Sequence, residues 1–393
     1  MKEWEIKSIG DIFKISSGGT PSRKKSEYFE NGSVPWIKTG ELKGKFASKP
    51  QEYITEEALK NSSAKIFPVK TVLLAMYGAT IGACSILDFE AATNQACAAL
   101  LPNDDCDEVY LFYYLTSIKD EIIRKGVGGA QPNISAGLIK KIKMPLPPLE
   151  TQKKIAAILD AANAYRQKTK VLIEKYDQLA QSLFLDMFGD PVTNSRRFNS
   201  VTIRDLVREV KYGTSSKAIE GGKYPYLRMN NITYSGHMDY SNLKYIDIPE
   251  KDIHKYVVRK GDVLFNRTNS KELVGKTGIV QTEREMIIAG YLIRIRVNQL
   301  ANPYYIWGHL NSKWAKLTLN NMCKNIVGMA NINAQELQNI KILEPPISLQ
   351  NQFAERIKLI EQQKQQARAS LQKAEELFNS LLQRAFKGEL VKE

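Results

Sequence analysis

The chain has 393 residues and a formal net charge of +14, a length that allows two or three domains at ~150 residues each. Apolar residues make up 43% of it, enough to build real cores, which excludes wholesale disorder. Lys and Arg outnumber Asp and Glu by 56 to 42, an excess that favours a polyanionic partner, either nucleic acid or an anionic membrane surface.

The excess is local. Residues 1–148 hold 19 basic and 17 acidic side chains, residues 149–190 hold 6 of each, residues 191–347 hold 23 against 13, and residues 348–393 hold 8 against 6. Most of the positive charge therefore belongs to one internal block and not to a tail. The N-terminal Met1-Lys2-Glu3-Trp4-Glu5 lacks the apolar core of a signal peptide. Cys84, Cys97, Cys106 and Cys323 form no CxxC pair and suggest no disulfide framework, and His237, His254 and His309 have no second ligand at metal spacing. These features predict a cytoplasmic protein without metal.

In the first block, Ser16-Ser-Gly-Gly-Thr20 runs into Pro21-Ser-Arg-Lys-Lys25. Backbone N–H groups, hydroxyls and the cations Arg23 and Lys24 suit such a loop to phosphate contacts, and a solvated basic turn is the plainer alternative. Pro35-Trp36-Ile37-Lys38-Thr39 sets a cation behind an aromatic anchor. Thr71 to Leu87 carries no charge, but Gly78, Thr80, Gly82 and Ser85 interrupt it. It reads as two buried strands around a Gly-containing turn and not as a membrane span, and Tyr77 and Thr80 lie in that turn. Gln131 and Asn133 follow, suited equally to base contact or to capping a turn.

Pro147-Pro148 marks a helix start, since proline cannot continue a helix backwards. Ile155, Ile158, Ala162, Tyr165, Thr169, Leu172, Tyr176, Leu179 and Leu183 alternate three and four apart, predicting a coiled-coil seam along a helix over 149–190. The run stops at Phe188-Gly189-Asp190-Pro191.

The second block, 191–346, offers counterparts. Lys211-Tyr-Gly-Thr-Ser-Ser-Lys217 is a second phosphate-suited loop, and Pro225-Tyr226-Leu227-Arg228-Met229-Asn230-Asn231 a second aromatic-then-cation segment. Asp262-Val-Leu-Phe and Tyr291-Leu-Ile-Arg-Ile-Arg-Val read as strands, the latter alternating as a half-buried strand would. Asn266-Arg267-Thr268-Asn269-Ser270-Lys271 supplies residue types that discriminate guanine and adenine at ~1–3 kcal/mol each. Pro345-Pro346 then opens a second helix over 347–393, with Ile357, Ile360, Lys364, Ala367, Leu371, Ala374, Phe378, Leu381 and Ala385 on the same spacing. Each helix is roughly 57 Å long at ~1.5 Å per residue.

These counterparts are a repeat. Pro147-Pro148 and Gln152 match Pro345-Pro346 and Gln350, Asn133-Ile134 matches Asn331-Ile332, and Ser182-Leu183 matches Ser380-Leu381, each pair 198 positions apart. The chain is two copies of one unit, and a symmetric repeat predicts helices paired antiparallel about a pseudo-two-fold axis. The seams expected from the spacing include Ile155, Ile158, Leu172, Leu179 and Leu183 on the first helix and Ile357, Ile360, Leu371, Phe378 and Leu381 on the second.

Enzyme signatures do not fit. Gly275-Lys276-Thr277 resembles the end of a phosphate-binding loop, but Ser270 stands where the motif needs glycine. An amino-methyltransferase motif would be Asn/Asp-Pro-Pro-aromatic, and the double prolines here sit in Leu-Pro-Pro-Leu and Glu-Pro-Pro-Ile. Candidate DNA contacts are Thr20, Arg23, Lys24, Lys38, Tyr77 and Thr80 in the first block. In the second they are Lys217, Arg228, Asn230, Asn231, Arg267, Asn269, Lys271 and Lys276.

The run Gly128-Gly-Ala-Gln-Pro-Asn-Ile-Ser135, then Ile142-Lys-Met-Pro-Leu-Pro-Pro-Leu-Glu-Thr-Gln152, resembles the entry to the central spacer helix of type I restriction–modification specificity subunits. Its repeat through Asn331-Ile-Asn333, Glu344-Pro-Pro346 and Gln350 fits as well, as do the Pro-aromatic-Leu-Arg segment and Gly261-Asp-Val-Leu-Phe-Asn-Arg267. Met76 stands at the place of Arg267 in the first block, a local departure that removes an arginine-based readout there. The resemblance covers essentially the whole chain. It implies an α+β chain with two mixed α/β target-recognition domains, 1–148 and 191–346, separated by two long antiparallel helices, 149–190 and 347–393, that form a coiled coil.

It also implies a non-catalytic subunit in which each recognition domain reads half of an asymmetric, bipartite duplex DNA site. No cofactor is expected in this chain. Two modification subunits would bring S-adenosylmethionine and adenine N6-methylation, and two restriction subunits would bring ATP and Mg. With DNA rising ~3.4 Å per pair, half-site centres at most about 17 pairs apart are expected. The alternatives are a self-sufficient DNA adenine methyltransferase with unrecognised motifs and a coiled-coil scaffold without sequence preference.

Overall fold

A computed structural model of the chain describes residues 4–126, 133–270, 273–323 and 330–391, and of Asn269 the backbone alone. The chain divides into two compact units, Met1–Lys168 with Ser370–Glu393, and Thr169–Ala369. Each unit therefore holds one recognition block and one end of each long helix.

In the first unit, one four-stranded sheet runs Ile15–Ser17, Cys97–Leu100, Val72–Ala75, Cys84–Ile86, antiparallel throughout. A second runs Glu52–Ile54, Val34–Ile37, Ala91–Thr93, Ile66–Phe67, with the middle pair parallel. Every residue of Val72–Ala75 is buried, as a continuous apolar run between two neighbouring strands requires. The uncharged stretch from Thr71 to Leu87 is two strands around the turn Gly78–Thr80, where Gly78 takes φ +67°. Glu5–Ser8 pairs with Lys143–Leu146.

The second unit repeats this strand for strand. Val207–Tyr212, Leu292–Val297, Val263–Asn266 and Thr277–Ile279 form one sheet. Lys244–Ile246, Tyr224–Leu227, Met286–Ile288 and Val257–Val258 form the other, again with one parallel pair. Asn199–Thr202 pairs with Lys341–Glu344. Matching ladder positions place Arg294 where the first unit has Ala99, since Leu264 faces one and Leu73 the other.

That register corrects the reading of Leu292–Val297 as half-solvated. Arg294 is fully buried, with its guanidinium donating to Glu209 Oε1 at 2.7 Å and to the Val257 carbonyl. Arg296 donates to Asp262 Oδ1 at 2.8 Å and to Glu209 Oε1 at 3.0 Å. Glu209 is held down to about 2: burial opposes the shift, and Lys211, Arg294 and Arg296 outweigh it. An ion cluster thus satisfies charges that alanine avoids in the other copy.

The long helices span Leu149–Phe188 and Ile347–Ala385. Their shared glutamine explains the repeated entry motif. Gln152 is fully buried and donates to the Pro147 and Asp105 carbonyls at 2.8 and 3.0 Å while accepting from Asp107 N–H at 2.9 Å. Gln350 does the same with the Pro345 and Leu300 carbonyls and Asn302 N–H, at 2.8, 3.0 and 2.8 Å. One amide in each copy satisfies three backbone groups and fixes the helix start to the preceding block. The first helix ends at Gly189, whose φ of +78° needs glycine and whose N–H returns to the Leu185 carbonyl at 2.8 Å.

Within the second unit Asp177 meets Lys364, and Phe184 stands 5.6 Å from Phe353, so the partner's number falls as the first helix's rises: the pairing is antiparallel. The expected seam is wrong by one residue at every second position of the first helix. Ile155 is buried and Leu183 half-buried, but Ile158, Leu172 and Leu179 are 36%, 42% and 49% exposed. Burial falls one position later, on Leu159 and Ala180 and on half-buried Arg166 and Ile173. The helix ends bury into the recognition blocks, Ile155 and Leu159 with Tyr110 and Leu111, Phe184 and Phe188 with Tyr305, so the apolar face follows block and helix together. On the second helix Ile357 and Phe378 are buried and Ile360, Leu371 and Leu381 half-buried.

All four cysteines are buried and none is in a disulfide among the described residues, and burial pushes Cys84 up to about 11 and Cys97 to about 12. Among the described residues no helix is long and apolar enough to cross a membrane.

Candidate nucleic-acid interface

In the second unit, four loops converge on one end of the paired sheets because short backbone contacts tie them together. Gly213 lies so close to the strand end that a Cβ would stand 2.2 Å from the Ile288 carbonyl oxygen, so only glycine fits. Thr214 N–H donates to that carbonyl at 2.9 Å, and Gly290 N–H donates to Thr214 O at 2.7 Å. Arg267 N–H then donates to Tyr291 O at 2.9 Å, and Ile332 N–H to Arg267 O at 2.9 Å. These bonds gather Tyr212, Arg267, Thr268 and Tyr291, and Ala289 N–H donating to Leu227 O at 2.9 Å brings the Arg228 segment beside them.

Arg267 is half-buried, with its guanidinium carbon 4.9 Å from the Tyr212 ring centroid, and its Nε is buried without a partner. Thr268 donates to Asn331 Oδ1 at 3.2 Å. Arg228 is half-buried, and its Nε is likewise without a partner. Lys217 and Asn230 are exposed. Lys271 and the side chain of Asn269 lie outside the described residues, as does Gln131.

Two assignments of the second block are corrected here. Lys276 is 8% exposed, and its ammonium donates to the Met229 and Ile232 carbonyls at 2.9 and 2.6 Å. Burial lowers its pKa. It ties strand to loop and does not face a ligand. Asn231 is 2% exposed; its Oδ1 accepts Arg228 N–H at 2.9 Å and its Nδ2 donates to Asp239 O at 2.9 Å. It shapes the turn that carries Arg228.

The first unit builds the same loops with other side chains. A Cβ on Gly18 would stand 2.1 Å from the Thr93 carbonyl oxygen, and Gly19 N–H donates to that oxygen at 2.9 Å. Thr20 donates to Gln95 Oε1, Tyr77 is 38% exposed and bridges Asn133, and Thr80 donates to Tyr77 O at 3.4 Å. Lys24 is exposed.

Arg23 and Lys38 are not the free cations expected from the sequence. Both grip Glu52, at 2.6 and 2.5 Å, and the Arg23 guanidinium lies 4.3 Å from the Phe29 ring centroid. The Lys38 hydrogen bond, helped by Arg23 against partial burial, holds the Glu52 carboxyl below its ordinary range. Lys38 N–H donates to Glu41 Oε2 at 2.7 Å, so Lys38 and Glu41 stand where the second unit has Arg228 and Asn231.

Equivalent positions thus carry different chemistry: Met76 against Arg267, Ser17 against Tyr212, Gln95 against Gly290, Ala96 against Tyr291. Tyr291 and Gln95 are exposed on this candidate surface without being marked by any loop motif, and Tyr212 lies within the Lys211–Lys217 loop without standing out in it. The usable signal was the repeat itself, because positions where its two copies align but differ in hydrogen-bonding groups mark this surface.

The family model for "Type I restriction modification DNA specificity domain" matches residues 1–175 and 196–375. The EcoKI specificity subunit of Escherichia coli (strain K12) is 25% identical over 415 residues, covering 98% of this chain and 89% of that protein. The MjaIX specificity subunit of Methanocaldococcus jannaschii is 33% identical over 194 residues, 48% of this chain and 44% of that one. Among solved structures, the type I system S subunit from M. genitalium superposes with a TM-score of 0.60 at 16% identity, covering 98% of this chain and 96% of that one. A chain from work on complex assembly and conformational transition of the type I R-M system gives 0.63 at 16% identity and 99% coverage of both. At these identities the structures speak for the fold.

Proposed function

The chain belongs to the type I restriction–modification DNA specificity family, and we propose that its two recognition blocks read the two different halves of one asymmetric duplex DNA site. It is a specificity subunit, a DNA-binding chain that works with other subunits. The observation that carries the two-half reading is the pairing of one strand order with different side chains at equivalent positions. A shared frame addresses each half-site in the same way, and Arg267 with Tyr212 against Met76 with Ser17 gives each half its own base preference.

In this reading two modification subunits supply S-adenosylmethionine and adenine N6-methylation, and two restriction subunits supply ATP, Mg and cleavage. The chain itself works in the cytoplasm and holds no cofactor. Mapping methylated adenines across the genome with and without this gene tests it. A bipartite motif that vanishes with the gene is expected, and an unchanged methylation pattern would overturn the reading. Purified chain alone, given DNA and labelled S-adenosylmethionine, is expected to transfer no methyl groups.

A further inference from the structure

We propose that Tyr212 is a positioning residue that presets Arg267 to read a guanine in the half-site of the second block. This rests on the reading of the chain as a DNA specificity subunit and names the device by which one half-site is discriminated.

Three observations converge on it. First, the backbone of Arg267 is held from both sides, by the bond from its N–H to Tyr291 O and the bond from Ile332 N–H to its O, each 2.9 Å. Second, the planar guanidinium lies over the Tyr212 ring at 4.9 Å, and that ring is itself pinned because Ala334 N–H donates to the Tyr212 hydroxyl at 2.8 Å. The stack is therefore fixed at both ends before any ligand arrives. Third, the other buried or half-buried arginines of this sheet, Arg294 and Arg296, are neutralised by Glu209 and Asp262. Among the described residues Arg267 meets no carboxylate; its one long contact is Nη1 to Gly290 O at 3.5 Å, and its Nε is buried without an acceptor.

A stacked guanidinium with unspent donors is the group that pairs with two coplanar acceptors, as guanine O6 and N7 present them in the major groove. Stacking on an aromatic face limits the rotamers it must give up on binding, so more of each hydrogen bond appears as discrimination. The first block has Ser17 and Met76 at these places, so the device serves one half-site alone.

The test uses the complete methylating complex, with adenine methylation frequency read at each variant of the wild-type motif. Arg267→Ala is expected to lower the preference for guanine at one position of one half-site by about tenfold or more. Tyr212→Ala should relax that same position, the double variant should be no worse than Arg267→Ala, and Tyr212→Phe should retain most of the preference. If Tyr212→Ala fails to assemble, Tyr212→Leu, which keeps apolar bulk without the aromatic face, gives the same readout. Relaxation at a different position, or a uniform loss across all sequences as a phosphate contact would give, overturns the proposal. A wild-type bipartite motif with no change in the Tyr212 variants defeats this inference alone. Absence of any such motif in the wild type defeats the DNA-reading function as well.

Discussion

Two lysines of the second block show how little a residue's type says about its job. Lys217 is exposed in a loop of the candidate interface, whereas Lys276 spends its charge on two carbonyl groups inside the unit. Lys217→Ala is expected to weaken DNA binding evenly across sequences and to reduce the slope of log K against log salt by about 1. Lys276→Met should leave that slope unchanged and instead destabilise the unit by ~1–3 kcal/mol, because the Met229 and Ile232 carbonyls lose their donor in a buried place. Salt-titrated binding paired with urea denaturation separates the two. Sequence composition could not divide them, since both read as a basic side chain beside small polar residues; only burial does.

At the level of elements, the first long helix carries its burial at Ile155 and Leu159 and leaves Ile158 36% exposed. Leu159→Ala should therefore cost ~2–5 kcal/mol by opening a cavity, and Ile158→Ala about 0.5 kcal/mol or less, in chemical denaturation of the chain. Heptad counting located the helix and its polar outer side but put half of the stripe one residue early. It assumes that a partner helix is the only apolar neighbour, and here the recognition block is another. The same element level holds a titratable tie in the second unit. His237, 9% exposed, reaches Asp177 Oδ1 on the first helix at 2.9 Å and Glu361 Oε2 on the second at 3.2 Å, with Lys364 Nζ 2.7 Å from its Nε2. The first unit makes the comparable tie with Lys45, whose ammonium lies 2.9 Å from Asp160 Oδ2.

Burial pulls the His237 pKa down, and the hydrogen bonds its ring N–H groups donate to Asp177 and Glu361 outweigh it, so the net shift is upward. A group whose pKa rises on folding adds stability in full below its unfolded value, and that stability is lost as pH climbs through the folded value. The unfolding temperature of the wild type should accordingly fall as pH rises above about 6.5, by about 2–4 °C for each kcal/mol carried, and His237→Gln should flatten that dependence. Melting curves across this range check it; an equally steep decline in His237→Gln would place the titrating group elsewhere.

Over the whole molecule, the 56 basic side chains overstate the cations that DNA can meet. In the second block Arg294 and Arg296 are cancelled by Glu209 and Asp262. Lys316 donates to Gly275 O at 2.6 Å, and burial lowers its pKa to about 8. In the first block Glu52 occupies Arg23 and Lys38. What the sequence by itself determined is the repeat and the frame it imposes: double prolines start each long helix with a glutamine at the same offset behind them, Gly189 ends the first, and two related blocks precede them. These are local signals, written in backbone restrictions and periodicity, so one dimension suffices. Which cations face a ligand, which side of the first helix is buried, and that Tyr212 carries Arg267 were decided only in three dimensions. Each depends on residues far apart in the chain competing for the same charge, the same ring or the same apolar surface.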